Sequence, residues 1–161
     1  MSTTDSVPAW TEALAARQAS DAEVGELIPL YAALAEWELQ ELEPGCLAAA
    51  FGDEAAEFVV LLWFGDYSPG AITVQYVLAE ELTDDASELM AIANDWNRVG
   101  RLLTAVVEVG EEDDVVLGLR ATIPVVPEAV AEHVFSSLDL AMMEFQVFSD
   151  WLADPTVADE D

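Results

Sequence analysis

The sequence predicts a single α+β domain in which helices cover an antiparallel sheet. Its 161 residues are about one domain's worth of chain. Short apolar runs separated by turn signals predict strands, and segments with apolar residues at helical spacing lie before, between and after them. The predicted order is α-β-β-β-α-β-β-α. We expect an N-terminal arm or short helix over residues 1–22, the domain over 23–153 and an acidic tail over 154–161.

The first predicted helix lies in the segment that contains Pro29. A proline fits best in the first turn of a helix, where its missing N–H costs no internal hydrogen bond, so we expect the helix to start near Glu26. One apolar stripe of this helix is then predicted to consist of Leu30, Ala33, Leu34 and Trp37.

Three strands are predicted next. Cys46–Phe51 follows the turn signal Glu43-Pro44-Gly45, and the unbroken apolar run Phe58–Phe64 is typical of a central strand that is covered on both faces. The segment Tyr67-Ser68-Pro69-Gly70 predicts a hairpin into a strand with alternating apolar residues, Ile72–Leu78. These short connections predict consecutive antiparallel pairs.

The second half of the chain repeats this alternation of helix and strand. Asp85, followed three residues later by Glu88, predicts the start of a helix that ends near Gly100. Its buried face is expected to consist of Ala86, Leu89, Met90, Ala93 and Trp96. Two alternating strands, Leu103–Val109 and Val115–Ala121, form the next hairpin, and a final helix runs from Pro127 to about Leu152.

The segment Asn94-Asp95-Trp96-Asn97-Arg98 ends the middle helix. Asn94, Trp96 and Asn97 match a signature of the YbjN family at the end of its middle helix. With the order of elements between residues 23 and 152, the chain resembles this family, whose fold is shared with type III secretion chaperones. The Pro124-Val125-Val126-Pro127 segment departs from the glycine-containing turn expected there. The resemblance implies a non-enzymatic, often dimeric regulatory module with chaperone-like relatives.

The charge of the chain limits its partners. The sequence has 33 acidic residues against four Arg and no Lys, a formal charge of −29, which repels phosphate backbones and anionic membranes. We therefore expect no nucleic-acid or membrane binding, whereas basic protein partners would be attracted. Solubility alone, or a high-salt habitat, also explains such a balance. The absence of Lys excludes Schiff-base enzymes and P-loop NTPases.

No group of residues outlines a catalytic, cofactor or metal site. Cys46 is the single cysteine and lies among apolar residues, which predicts a core role and a reducing compartment. His133 lies near Ser136 and Ser137 along a helix, but neither serine is in a nucleophile elbow. The run from 111 to 114 is acidic but lacks calcium-loop spacing. We expect a non-enzyme without cofactors, located in the cytoplasm because no signal peptide or long apolar segment is present.

Asn94, Asn97, Arg98 and Arg101 form the first candidate binding group. In a continuous helix, Asn94, Arg98 and Arg101 would lie near one stripe with Asn97 beside them. This patch could recognise a partner. The helix end also explains it, since arginines complement the helix dipole there, and pairing with acids of a second subunit is a third explanation.

The last helix supplies the second candidate group. Its seam of apolar residues from Val130 to Leu152 accounts for one face, yet Leu140, Met143, Val147 and Trp151 form a neighbouring apolar stripe. Packing within the core, a homodimer interface and a groove for a partner segment all explain this surplus.

The function that these patterns favour is protein binding without chemistry. We expect a binding or regulatory protein that acts through contacts with protein partners and forms a homodimer. A chaperone-like activity is one form that this role could take. The alternative is a small-molecule-binding or weakly catalytic domain that uses the concave face of its sheet. A third possibility is an acidic, stability-adapted protein with transient contacts.

Overall fold

The chain forms three helices and one six-stranded antiparallel open sheet, an α+β fold. A computed structural model describes residues 21–52, 57–79, 82–110, 114–125 and 130–153. The predicted N-terminal arm and acidic tail lie outside these ranges, apart from the start of the first helix. The helices are α1 (Asp21–Leu34), α2 (Ala86–Val99) and α3 (Val130–Ala153).

The sheet has six strands, one more than the sequence pattern indicated. They are β1 (Gln40–Glu43), β2 (Cys46–Phe51), β3 (Phe58–Gly65), β4 (Ser68–Leu78), β5 (Thr104–Val109) and β6 (Val115–Pro124). Their order in the sheet is β1-β2-β3-β4-β6-β5, and every neighbouring pair is antiparallel. Four strands rather than three therefore precede α2. The additional strand, β1, is exposed at all four positions and has no apolar alternation that would predict it.

All three helices lie on one face of the sheet. A single core contains buried side chains of each helix together with alternate residues of the strands, among them Val60, Val74 and Leu119. Tyr76 of β4 stacks on Phe145 of α3 at 4.9 Å between ring centroids, and Trp96 of α2 meets Phe148 edge-on. The core therefore forms one layer between the helices and the sheet.

The register of α1 differs from the prediction. The helix begins by Asp21, so Pro29 lies inside it and not in its first turn. Its buried residues are Ile28, Tyr31 and Ala32, whereas Leu30 and Leu34 point outward and are 51% and 68% exposed. The predicted stripe of α1 is therefore wrong. Two apolar sets occupy opposite sides of this helix, and the sequence pattern alone cannot decide between them.

Other predicted boundaries are confirmed. Asp85 caps α2 by accepting a hydrogen bond from the N–H of Ser87, and Gly100 ends this helix. The buried face of α2 is smaller than predicted, because Ala86 and Met90 are exposed. Gly45 adopts a positive φ of 84° in the turn between β1 and β2, where a Cβ would lie 2.8 Å from the carbonyl oxygen of Phe64. That turn therefore requires glycine.

Candidate functional site

The Asn94–Arg98 segment sits at the corner where α2 leads into β5. The Trp96 side chain is buried, and its indole Nε1 donates a hydrogen bond to the carbonyl of Leu103 at 3.1 Å. Gly100 lies against the same indole, since a Cβ there would be 2.6 Å from Nε1. The aromatic residue of the motif therefore fixes the path of the chain between α2 and β5.

Asn97 holds the same corner. Its Nδ2 donates to the carbonyl of Ala105 at 3.1 Å, and its Oδ1 accepts from the N–H of Ala105 at 2.7 Å. Both polar ends of this side chain are thus engaged within the chain. Asn97 was predicted to be a partner-binding residue, and its place in the structure gives it an architectural role.

The last helix is tied to this corner through Glu144. Its carboxylate accepts hydrogen bonds from three successive backbone N–H groups, those of Arg101, Leu102 and Leu103, at 2.5, 2.8 and 3.0 Å. A carboxylate bound by several N–H donors forms strong, charge-assisted bonds. The contact joins residues more than 40 positions apart and had no signal in the sequence.

Asn94, Arg98 and Arg101 remain at the surface. Arg98 pairs with Asp95 at 3.4 Å in an exposed contact, which contributes little to stability. Arg101 follows the end of α2 at Val99, so the expected helical stripe does not extend to it. The structure therefore brings only Asn94 and Arg98 together on the outer side of α2.

The outer surface of α3 carries a stripe of exposed apolar side chains. Leu140, Met143 and Val147 are 57%, 61% and 59% exposed and recur at helical spacing. They lie opposite the side that packs on the sheet, which includes Leu138, Phe145 and Phe148. We call Leu140, Met143 and Val147 the α3 stripe.

Trp151, which was predicted to belong with these residues, lies differently. It is half-buried, with its ring 5.9 Å from those of Trp96 and Phe148. Its main contacts are therefore with the core side of α3. Of the four apolar residues predicted on the neighbouring stripe of the last helix, Trp151 packs against the core, and the three residues of the α3 stripe remain exposed.

The face of the sheet opposite the helices is the second unusual surface. It is formed by the alternate residues of β2 to β5 that are outside the core, and no described helix covers it. We call it the open sheet face. Its larger apolar side chains are Val59, Leu61, Trp63, Val77, Val106 and Val116.

One polar cluster lies in the middle of the open sheet face. Gln75 is buried, and its Oε1 accepts from Nε and Nη2 of Arg120 at 2.9 and 2.6 Å. Its Nε2 donates to Glu108 at 3.1 Å, and Arg120 also forms an ion pair with Glu108. The guanidinium lies 5.7 Å from the ring of Trp63. A Cβ at Gly118 would be 2.6 Å from Nε2 of Gln75, so Gly118 makes room for this arrangement.

The concavities give limited support to the small-molecule alternative. A depression of about 630 Å³ on the open sheet face is lined by Leu61, Gln75, Val77, Glu108 and Val116, among others. It opens broadly to the surface, and the polar atoms of Gln75 and Glu108 already bind Arg120 or each other. A ligand would therefore meet few free polar groups there.

The remaining candidates show no assembled chemistry within the described ranges. Burial is the main cause that raises the pKa of the Cys46 thiol, with the Glu43 carboxylate adding to it, so a thiolate is disfavoured. His133 is exposed. No cluster of three potential metal ligands occurs among the described side chains, and residues 111–113 of the acidic hairpin lie outside them. None of the described helices is long and apolar enough to span a membrane.

Comparisons with known proteins identify no relative. Neither protein-family models, nor curated proteins, nor solved structures match the chain. The resemblance to the YbjN family therefore stays a prediction.

Proposed function

We propose that this chain is a non-catalytic binding protein that recognises a basic, amphipathic segment of another protein through the α3 stripe. The observation that carries the proposal is the exposure of Leu140, Met143 and Val147 on one side of a long helix. Apolar side chains at this spacing match the i, i+3, i+7 pattern by which helices meet a partner segment. Methionine, with its flexible and polarisable side chain, suits an adaptable contact.

The charge around the α3 stripe favours a basic partner. Asp139 and Asp150 are exposed and lie one helical turn from Met143 and Val147, respectively. The chain as a whole carries a formal charge of −29, which accelerates the approach of cationic segments and slows that of acidic ones. Apolar anchors bordered by carboxylates therefore complement a helix with one apolar and one basic face.

The finer description of the fold is part of the same proposal. Two features support membership of the YbjN family, with a fold like that of type III secretion chaperones. They are the order of helices and strands from Asp21 to Ala153 and the Asn94-Asp95-Trp96-Asn97 segment. The additional strand β1 is a departure from the order that the resemblance implies. Membership would agree with a role in regulation through protein contacts.

The proposal is tested with a defined probe, a model peptide of leucine and lysine that forms an amphipathic helix. Titration calorimetry with the full chain should show saturable binding that weakens as salt rises. The double variant Met143→Gln with Val147→Thr should bind the peptide about 10-fold more weakly or worse, because it loses apolar contact without any change in charge.

A matched pair on α2 provides the control. Met90 and Val99 are 55% and 62% exposed, close to the values for Met143 and Val147. The double variant Met90→Gln with Val99→Thr should bind like the wild type. Equal binding by all three proteins would show that the peptide responds to charge alone, and the proposal would then be wrong.

A further inference from the structure

The open sheet face is almost free of net charge in a chain that is otherwise strongly acidic. From β2 to β5, the only charged side chains among its described residues are Glu108 and Arg120, and these two form an ion pair. The described parts of the helices and turns, by contrast, carry many exposed carboxylates, among them Glu26, Asp66 and Asp150. Depletion of charge is the compositional mark of the core of a protein interface.

The apolar character of this face also departs from the usual pattern. An antiparallel sheet with one solvated face normally presents polar residues to water at alternate positions. Here the outward residues of β3 are Val59, Leu61 and Trp63. Val59 lies in register with Val77 of the neighbouring strand β4 and, two strands further on, with Val106 of β5. Apolar side chains thus form a row across this face, with the polar Thr73, Thr122 and Gln75 beside it, and an apolar patch of this kind marks an interaction site.

We infer that two copies of this chain pair face to face through the open sheet face. Two molecules with a formal charge of −29 each repel wherever their acidic surfaces meet. The open sheet face is where contact opposes the fewest unpaired carboxylates, so self-association costs least there. A basic partner would gain little at this face, because Glu108 is already neutralised by Arg120. A twofold pair uses the same patch on both copies.

The central polar cluster is compatible with being covered. Gln75 is already bound by Arg120 and Glu108, so a second copy above it would leave few polar atoms without partners. Buried polar groups are costly mainly when they lose their hydrogen bonds. The cluster also supplies an asymmetric feature on an otherwise apolar surface, which would favour one relative orientation of the two copies.

The size of the face predicts a weak dimer. Five strands at about 4.8 Å spacing, each contributing about six residues at 3.3 Å, give a footprint of roughly 20 by 20 Å. The two copies together then contribute roughly 800 Å², which is below the range of stable specific interfaces, so the association is weak and transient. Because the total charge opposes association, the dimer should tighten as salt rises.

Molar mass of the full chain is measured by light scattering over a range of concentrations, at low and high salt. The wild type should rise from its monomer mass of 17.4 kDa toward twice that value, and at lower concentration when salt is high. Leu61→Glu, or Val106→Gln at a second position, should raise the dissociation constant at least 10-fold, an effect expected for central interface residues. Met143→Gln in the α3 stripe should dimerise like the wild type.

Two further observations make the outcome decisive. Circular dichroism and retained binding of the basic peptide show that a monomeric Leu61→Glu variant is folded, and they separate this inference from the proposed function. A wild type that stays monomeric throughout overturns the inference and leaves a different protein as the occupant of the face. A dimer that is lost in Met143→Gln, and kept in both open-face variants, overturns it as well.

Discussion

The side-chain amide of Asn97 binds both backbone hydrogen-bonding groups of Ala105, which lies in the edge strand β5. In an antiparallel strand, the N–H and C=O of one residue point to the same side. Those of Ala105 therefore point away from β6, toward the unpaired edge. Free edges recruit other strands unless they are blocked. Asn97 thus joins α2 to β5 and at the same time blocks part of this edge.

Replacing Asn97 by Ala should lower the free energy of unfolding by about 1–3 kcal/mol, because two hydrogen bonds are lost and the groups of Ala105 are left unpaired. Chemical denaturation measures the change. Asn94→Ala is the matched control, since Asn94 is exposed and has no described hydrogen bond; its effect should be within about 0.5 kcal/mol. Equal losses in the two variants would contradict the role given to Asn97.

The second prediction concerns Glu144, which binds the same corner between α2 and β5. In Glu144→Gln, an amide replaces the carboxylate that accepts from Arg101, Leu102 and Leu103. We expect a loss of about 2 kcal/mol, since hydrogen bonds to a charged acceptor are stronger than those to a neutral one. Thermal unfolding tests this against Asp150→Asn, an exposed carboxylate on the same helix. If both substitutions left stability unchanged, α3 would not depend on this contact.

Trp96→Ala should be among the most damaging substitutions at this corner. The side chain is 3% exposed, meets Phe148 and Trp151, and donates to Leu103. Removing a buried tryptophan typically costs about 3–5 kcal/mol. Denaturant unfolding of Trp96→Phe should show a smaller loss, because much of the ring contact remains. A Trp96→Ala variant as stable as the wild type would refute the packing described for α2.

Tyr76 offers a substitution that should stabilise the protein. Its hydroxyl is buried and has no hydrogen-bond partner among the described residues. Tyr76→Phe removes this group, so we expect the free energy of unfolding to rise by about 1 kcal/mol. Tyr31→Phe should do the opposite, since the Tyr31 hydroxyl donates to Asp139 at 2.8 Å and joins α1 to α3. Calorimetric melting of the two variants distinguishes these effects.

The same two tyrosines predict how stability falls at alkaline pH. Burial raises the pKa of Tyr76, and burial together with the hydrogen bond to Asp139 raises that of Tyr31. A pKa that is higher in the folded state gives stability that is complete below the unfolded value of about 10 and decreases as pH rises above it. Melting temperature should therefore drop above about pH 10, and less steeply in Tyr76→Phe. An identical slope in that variant would contradict the burial of this hydroxyl.

The predictable parts of the fold were those with strong periodicity. The apolar run of β3 and the alternation in β4, β5 and β6 predicted strands, and Asp85 predicted the start of α2. The strand β1 gave no such signal because an exposed, charged edge strand has no buried face. In α1, apolar residues occur on both sides of the helix, so the pattern did not fix which side is buried.

The candidate site was less predictable because its contacts depend on distant parts of the chain. Met143 and Val147 could be identified from the surplus of apolar residues in α3. Three other contacts form only in the tertiary structure. They are the hydrogen bonds between Asn97 and Ala105, the hydrogen bonds of Glu144 to residues 101–103, and the packing of Trp151 on Trp96. The open sheet face was not predicted. The apolar run of β3 indicated a strand covered on both faces, whereas no described helix covers the side with Val59, Leu61 and Trp63.

Mapping the binding of the leucine and lysine peptide by NMR tests the central claim most directly. Amide shifts of the ¹⁵N-labelled full chain are followed during the titration, and each shift reports the surface that the peptide reaches. We predict that the largest changes occur on α3 around Leu140, Met143 and Val147, with the open sheet face nearly unaffected. Changes concentrated on the open sheet face, or spread evenly over the acidic surface, would contradict the proposed function.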